Sequence, residues 1–376
     1  MGSSQHAQKQ ASAIRLTSWA SFVAALVFFF MQRYVTWQGL LRTHDSRYYE
    51  ATAQNVGLYG LWQDHLGQIY TNWPPLYPFL LSFFPLHIPL WASWLQAFAG
   101  GLTVFVLMQL SHNANALGNI FQRFMLGAFC PLLMLCAVFM WSEAVFLCFS
   151  VCAFMFLKRY LAEARMFDAI ALVLCLNLCC LSRHAGMLWV VGLTLILFSK
   201  SLDKYSKWWI PLFSSLSFLF WQLRNHFWIN QVKDFKQAVG AVSLQESIFS
   251  YLATLGSWLS WAQLPEMWRM GLGLCFVIFL GCLFWKAKEE VWIRACGVLM
   301  LVYLLGLCGL RMNIPSESER YLLPIWLLLL PFWQSANSYL SERDSFFARF
   351  SDYGLWFVAC LFALKGIKSW WFWAQA

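Results

Sequence analysis

Charge is what this sequence has least of. Only 11% of its 376 residues are Asp, Glu, Lys or Arg, against roughly 25% in soluble domains. That scarcity excludes an ordinary water-soluble globule, and apolar runs of about 18 residues or more recur from end to end as transmembrane helices. Strict apolar–polar alternation is also missing, which excludes an outer-membrane barrel. No polar interval is long enough for a soluble domain of ordinary size; the longest are 38–88 and 224–266. A basic stripe is lacking as well. The formal net charge is +9, but the cations are scattered over short loops, so nucleic acid is not an expected partner. All twelve cysteines fall inside apolar runs, without metal-site spacing or a disulfide framework. Cys179-Cys180 reads as packing. His44, His65, His184 and His226 show no recognised metal-ligand spacing. The first apolar run, ending near Trp37, is too long for the core of a cleaved signal and has no convincing cleavage site. It therefore reads as an uncleaved span. His6 stands where a myristoylation motif needs Ser or Thr.

What the chain does have predicts an all-α, polytopic helical membrane protein forming a single transmembrane domain over 1–376. About eleven spans are expected, near 16–37, 89–110, 121–139, 141–158, 166–182, 185–199, 208–223, 268–285, 291–310, 321–338 and 354–372. The run 76–86 is too short to span and sits between prolines, so we expect a helix lying along the membrane surface. One set of loops holds Lys158, Arg159 and Arg165; Lys200, Lys204 and Lys207; Lys286, Lys288 and Arg294; and Arg343 and Arg349. With Lys9 and Arg15 these are expected on the cytoplasmic side. The loop 38–88 and the segment 224–266 then lie outside, the first as a large loop carrying surface helices. An integral membrane protein is implied, and the short loops suit a bacterial inner membrane. Trp370, Trp371, Phe372 and Trp373 read as an interfacial belt among membrane lipids.

On this topology the unusual polar groups share one face. Asp45 precedes Tyr48, Tyr49 and Thr52 by three, four and seven positions, so one helical face presents a carboxylate beside two phenols. Glu143 opens a span in Trp141-Ser142-Glu143. Arg183 and His184 sit in a short turn, and Arg320 and Tyr321 open another span. Ionisable groups at membrane depth are costly and usually functional. Each also has a plainer reading: Asp45 as a helix N-cap, Glu143 as a first-turn residue favoured by the helix dipole, Arg183 and Arg320 as interfacial anchors.

The ordered set is Asp45-Ser46-x-Tyr48-Tyr49, then Pro74-Pro75-Leu76-Tyr77-Pro78, Ser142-Glu143-Ala144-Val145-Phe146, Ser182-Arg183-His184-Ala185-Gly186 and Glu319-Arg320-Tyr321-Leu322-Leu323-Pro324. It resembles the GT-C superfamily of integral-membrane glycosyltransferases, which includes the protein O-mannosyltransferases, the aminoarabinose transferases of lipid A and the GPI mannosyltransferases. The resemblance runs from about residue 16 to 338. It implies a polyprenyl-phosphate-linked sugar as donor, used on the extracytoplasmic side, and Asp45 as the catalytic acidic residue. The late-span arginine, here most like Arg320, would contact the donor phosphate. Several relatives carry a basic residue just before the Pro-Pro pair, where this chain has Asn72-Trp73. The departure shifts the expected phosphate contact to Arg183 and Arg320.

The chemistry such a site needs is modest. An acceptor hydroxyl on a lipid, glycan or protein attacks the anomeric carbon and needs a base, which a carboxylate can supply. The departing lipid phosphate needs a guanidinium fork. We therefore expect Asp45 as base, Arg183 and Arg320 as donor-phosphate ligands, and Tyr48, Tyr49, Glu143, His184 and Tyr321 as substrate-binding groups. No metal ligand set is assigned, although a divalent ion through Asp45 and Glu143 stays open. A secondary transporter or flippase-like protein is the rival reading. It would place its charges near the bilayer midplane, usually within internal repeats.

Overall fold

The computed structural model describes residues 2–71, 73–111, 117–199, 206–228, 242–260, 264–310 and 318–375. Among the described residues the chain is built of helices, with no sheet beyond two isolated β-bridges. In chain order they are α1 (Gly2–Val35), α2 (His44–Tyr59), α3 (Leu76–Leu81), α4 (Ile88–Leu110), α5 (Leu117–Ala128), α6 (Pro131–Val138), α7 (Glu143–Glu163) and α8 (Met166–Ser182). There follow α9 (Gly186–Ser199), α10 (Ser206–Trp228), α11 (Leu244–Trp258), α12 (Glu266–Ala287), α13 (Val291–Leu310), α14 (Ser318–Ser341) and α15 (Ser345–Gln375).

Helices cover all eleven expected spans. Among the described residues, seven stretches are long and apolar enough to cross a membrane: Leu16–Val35, Ile88–Leu110, Ile120–Val138, Glu143–Glu163, Glu266–Ala287, Val291–Gly309 and Ser345–Gln375. The other four have physical reasons for falling short. Helices α8 and α9 are apolar but only 17 and 14 residues long, and at 1.5 Å per residue the second reaches about 21 Å. Helices α10 and α14 are long enough but carry Arg224 and Asn225, and Arg320 and Gln334, within their length. The span 121–139 is two helices, because Pro131 takes the first position of α6 after the extended Cys130. Large apolar side chains such as Trp19, Phe30, Phe98, Phe220 and Phe357 remain exposed, as a lipid-facing surface requires.

The expected surface helix over 76–86 is shorter than the sequence suggests. Helix α3 ends at Leu81. Pro85 disfavours helical backbone at the residue before it. The Trp91 indole donates to the Leu80 carbonyl at 2.8 Å and Ser82 Oγ to the Phe79 carbonyl at 2.7 Å, closing the helix end. The segment 224–266 is largely helical where described: it holds the end of α10 and all of α11, while 229–241 and 261–263 lie outside the described residues, as does Asn72. Helices α11 and α12 approach at Gly256 and Gly273. A Cβ on either would stand 1.8 Å from the Arg269 carbonyl oxygen or 1.9 Å from that of Leu252, so glycine sets the contact.

Candidate functional site

The site is assembled by helix ends. After α1 the chain runs extended and pairs with the segment between α6 and α7: Leu41 N–H donates to the Val138 carbonyl at 3.0 Å, and Met140 N–H to the Leu41 carbonyl at 2.9 Å. This parallel bridge sets the N-termini of α2 and α7 side by side. Two side-chain bonds lock the junction, from Ser46 Oγ to the Met140 carbonyl at 3.1 Å and from Trp141 Nε1 to Thr43 Oγ1 at 2.8 Å. Asp45 then lies in the first turn of α2 and Glu143 opens α7. The C-terminal end of α8 brings Arg183, and the first turn of α14 brings Arg320, to the same end of the bundle.

These four side chains meet. Arg320 Nη2 is 3.1 Å from Asp45 Oδ2, and Arg320 Nε also pairs with Glu143 Oε1. Arg183 Nη1 pairs with the same Glu143 oxygen. One arginine thus bridges two carboxylates, and one carboxylate holds two arginines. Their exposure differs: the side chains of Glu143 and Arg320 are 3% and 5% accessible, those of Arg183 and Asp45 17% and 18%. Asp45 is therefore the carboxylate nearer the open side, and Glu143 is the buried counter-ion that fixes both guanidiniums. Charge within the cluster balances, two against two. Arg320 also lies over the Trp141 ring at 4.4 Å, and Tyr321 stands between the arginines, 5.4 Å from Arg320 and 5.8 Å from Arg183.

The aromatic wall is less uniform than the helical spacing suggests. Tyr49 is buried on the Asp45 face, its hydroxyl 3.4 Å from Ser142 Oγ and its ring 5.0 Å from Tyr77. Burial, with the Asp45 and Glu143 carboxylates, holds its phenol well above the usual value, so Tyr49 stays neutral. Tyr48 turns instead to His65 and Trp73, at 4.3 and 4.9 Å. His184 faces α10, with Nδ1 3.5 Å from Gln222 and its ring 5.9 Å from Phe218. Asp45 is not the N-cap of α2. Thr43 holds that place, and its N–H donates to Ser46 Oγ at 2.9 Å. At the same end a shallow cavity of about 440 Å³ is lined by Arg42, Thr43, His44, Arg47 and Glu50. Its lining does not include the four ion-paired groups.

A divalent ion does not fit this donor set. Asp45 and Glu143 are both engaged by Arg320, and among the described residues no three His, Cys, Asp or Glu side chains gather as metal ligands.

No protein-family model matches the chain, and no curated protein does. Solved structures do. ArnT from Cupriavidus metallidurans bound to undecaprenyl phosphate superposes with a TM-score of 0.60 at 16% identity, over 86% of this chain and 60% of that one. Its apo state gives a TM-score of 0.58 at 16% identity, over 89% and 62%. ArnT is an aminoarabinose transferase of the GT-C class. The chain has the GT-C fold. It spans about 60% of the length of the ArnT chains it matches, and the likeness at this identity is one of architecture.

Within the GT-C frame, several residues contribute that the sequence did not single out. Trp141 supports Arg320 and ties α2 to α7. Gln96 Nε2 donates to Tyr77 Oη at 2.6 Å and to the Trp141 carbonyl at 2.9 Å. From the end of α10, Arg224 Nη1 donates to the Tyr70 carbonyl at 2.7 Å and Asn225 Nδ2 to that of Thr71 at 3.3 Å. The signal available for Trp141 was its place two residues before Glu143. A tryptophan at a span boundary reads first as an interfacial anchor.

Proposed function

We propose that the protein transfers a sugar from a polyprenyl-phosphate-linked donor to an acceptor hydroxyl at the extracytoplasmic end of the bundle. The observation that supports this most is the cluster of Asp45, Glu143, Arg183 and Arg320, drawn from four separate helix ends. A structural ion pair does not need four contributors at one rim of a membrane bundle, where buried charge is costly. ArnT, with the same architecture, is seen with undecaprenyl phosphate, which makes a polyprenyl phosphate the natural donor carrier to test here.

In the reading we favour, Asp45 takes the proton of the acceptor hydroxyl as it attacks the anomeric carbon. Its place on the more open side of the cluster suits that task. Arg183 and Arg320 receive the phosphate that departs. A guanidinium presents five N–H donors, and the Glu143 contact engages Nη1 of Arg183, so the fork can take a second anion. Glu143 acts by holding the forks in place rather than by touching sugar. A single displacement of this kind inverts the anomeric centre without a covalent intermediate.

The test is genetic and chemical. Deleting the protein should make an undecaprenyl- or other polyprenyl-linked sugar accumulate in lipid extracts, read by mass analysis. Restoring the Asp45→Asn variant should leave that accumulation in place, with transfer reduced roughly 10²–10⁴-fold and the protein still inserted. Normal turnover by Asp45→Asn removes Asp45 as the base, and unchanged lipid extracts remove the transferase reading.

A further inference from the structure

The cavity beside the start of α2 has no role in the chemistry proposed above. It measures about 440 Å³ and is lined by Arg42, Thr43, His44, Arg47 and Glu50, a size within the range of about 300–1,000 Å³ usual for ligand sites. Its lining lies on the far side of α2 from Asp45. At about 3.6 residues per turn, positions 43, 47 and 50 share one face of the helix, and positions 45, 49 and 52 the opposite one. Tyr49 and Thr52 are buried on that second face, whereas Arg47 is exposed.

Charge in the cavity is not balanced. Arg42 Nη2 lies 2.7 Å from Glu50 Oε1, with the two side chains 56% and 26% accessible. Arg47 has no carboxylate within ion-pair reach among the described residues. One guanidinium is therefore left over, and Arg42 keeps donors that its single contact with Glu50 does not use. On the orientation read from the loop cations, this end lies outside the cytoplasm, where the excess of Lys and Arg is not expected. Two arginines in one cavity there need a reason other than topology.

The neighbouring rings supply one, because they fix the depth. Arg42 follows Leu41, which is bridged to Phe139, and the Phe139 ring lies 5.7 Å from Trp373. Tyr34, at the end of α1, packs 5.8 Å from Trp370, and Tyr34, Trp37 and Trp371 are exposed. Tryptophan and tyrosine rings of this kind settle at the membrane–water boundary. The cavity begins one residue beyond that belt, at the level of lipid phosphates.

We propose that this cavity is a headgroup site for an anionic phospholipid, whose phosphate is held by Arg47 and by the donors of Arg42 that Glu50 leaves open. A guanidinium matches phosphate geometry, and basic pockets beside membrane helices take lipid headgroups. The site is separate from the donor-phosphate contacts of Arg183 and Arg320, and it does not depend on the transferase reading.

The experiment uses the full chain in a non-ionic detergent, with unfolding followed by tryptophan fluorescence as lipid is added. Phosphatidylglycerol should raise the unfolding temperature of the parent. Phosphatidylcholine, which carries a phosphate but no net charge, should not match it at the same concentration, nor should inorganic phosphate. Arg47→Gln leaves the Arg42–Glu50 pair in place and should weaken the phosphatidylglycerol midpoint about fivefold; adding Arg42→Gln should bring the loss to about tenfold or more. Because the side chains removed are exposed, unfolding without lipid should stay within about 2 °C of the parent. Arg343→Gln with Arg349→Gln removes the same charge beyond the opposite end of α14, and should leave the midpoint within about twofold. An equal response to phosphatidylcholine or to inorganic phosphate overturns the proposal. So does an unchanged midpoint in the Arg47→Gln and double variants, or equal weakening in the Arg343/Arg349 control. A drop of several degrees without lipid in Arg47→Gln would make Arg47 a structural contact and overturns it as well.

Discussion

Replacing Glu143 by Gln tests the core of the site more sharply than any other single change. The side chain is 3% accessible and pairs with both Arg183 and Arg320. Glutamine keeps the shape and removes the charge. Two guanidiniums would then face each other with Asp45 as the remaining carboxylate of the cluster, and its contact reaches Arg320 alone. Removing one partner of a buried ion pair costs about 3–5 kcal/mol, because the other charge is left uncompensated. At about 2 °C per kcal/mol for a chain of this size, Glu143→Gln should lower the unfolding temperature by about 6–10 °C. The tryptophans report this by intrinsic fluorescence in detergent. Asp45→Asn should lower it by only about 2 °C, since a partly exposed pair contributes about 1 kcal/mol. Combining Glu143→Gln with Arg183→Gln should cost less than the sum of the two single losses, as one orphaned charge is removed with its partner. A Glu143→Gln protein that unfolds within 2 °C of the parent, or strictly additive losses in the pair, would refute the reasoning that Glu143 is the counter-ion of both arginines.

Two other expectations follow from the same geometry. Arg320→Lys keeps the charge but loses the fork that reaches Asp45 and Glu143 at once; titration with undecaprenyl phosphate should show about tenfold weaker binding, and unchanged affinity would take Arg320 out of the phosphate site. The orientation can be checked with alkaline phosphatase, which is active only outside the cytoplasm. Fused after Leu66 it should be active and fused after Lys288 inactive, and the reverse pattern would put the cluster on the cytosolic side.

Much of the site was legible because helix ends obey topology. Once the apolar runs are counted, the start of α2, the start of α7, the end of α8 and the start of α14 must lie at one end of the bundle. Asp45, Glu143, Arg183 and Arg320 then share that end whatever the packing, and the structure places all four in contact. What topology could not give was the division among them. Asp45 and Glu143 look alike in sequence, each a carboxylate in the first turn of a helix. Their difference is accessibility, greater for Asp45 than for Glu143 although the bridge of Leu41 to Val138 and Met140 sets the two helix starts side by side. A three-residue pairing between extended segments carries no hydrophobic period, so nothing in the pattern announced it.

The aromatic residues were opaque for the opposite reason, that there are too many of them. At 19% of the chain, the background of lipid-facing and interfacial rings hides the few that do something else. Trp141 and Trp62 are indistinguishable in sequence from Trp19 or Trp268, which are exposed. What separates them is a polar partner brought from far along the chain: Arg320 for Trp141, and Arg224, through the Tyr70 carbonyl, for the loop that Trp62 packs on. In a membrane bundle the apolar effect does not tell one helix from another, because lipid is as apolar as the helix it would replace. Specific association must come from small-residue contacts such as Gly256 with Arg269, and from the few polar bonds that cross between elements. The bonds that close the site are therefore also among those that specify how its helices come together. Substitutions at Arg320 or Glu143 should on that account disturb assembly and chemistry at once, whereas Asp45, on the open side, should separate the two.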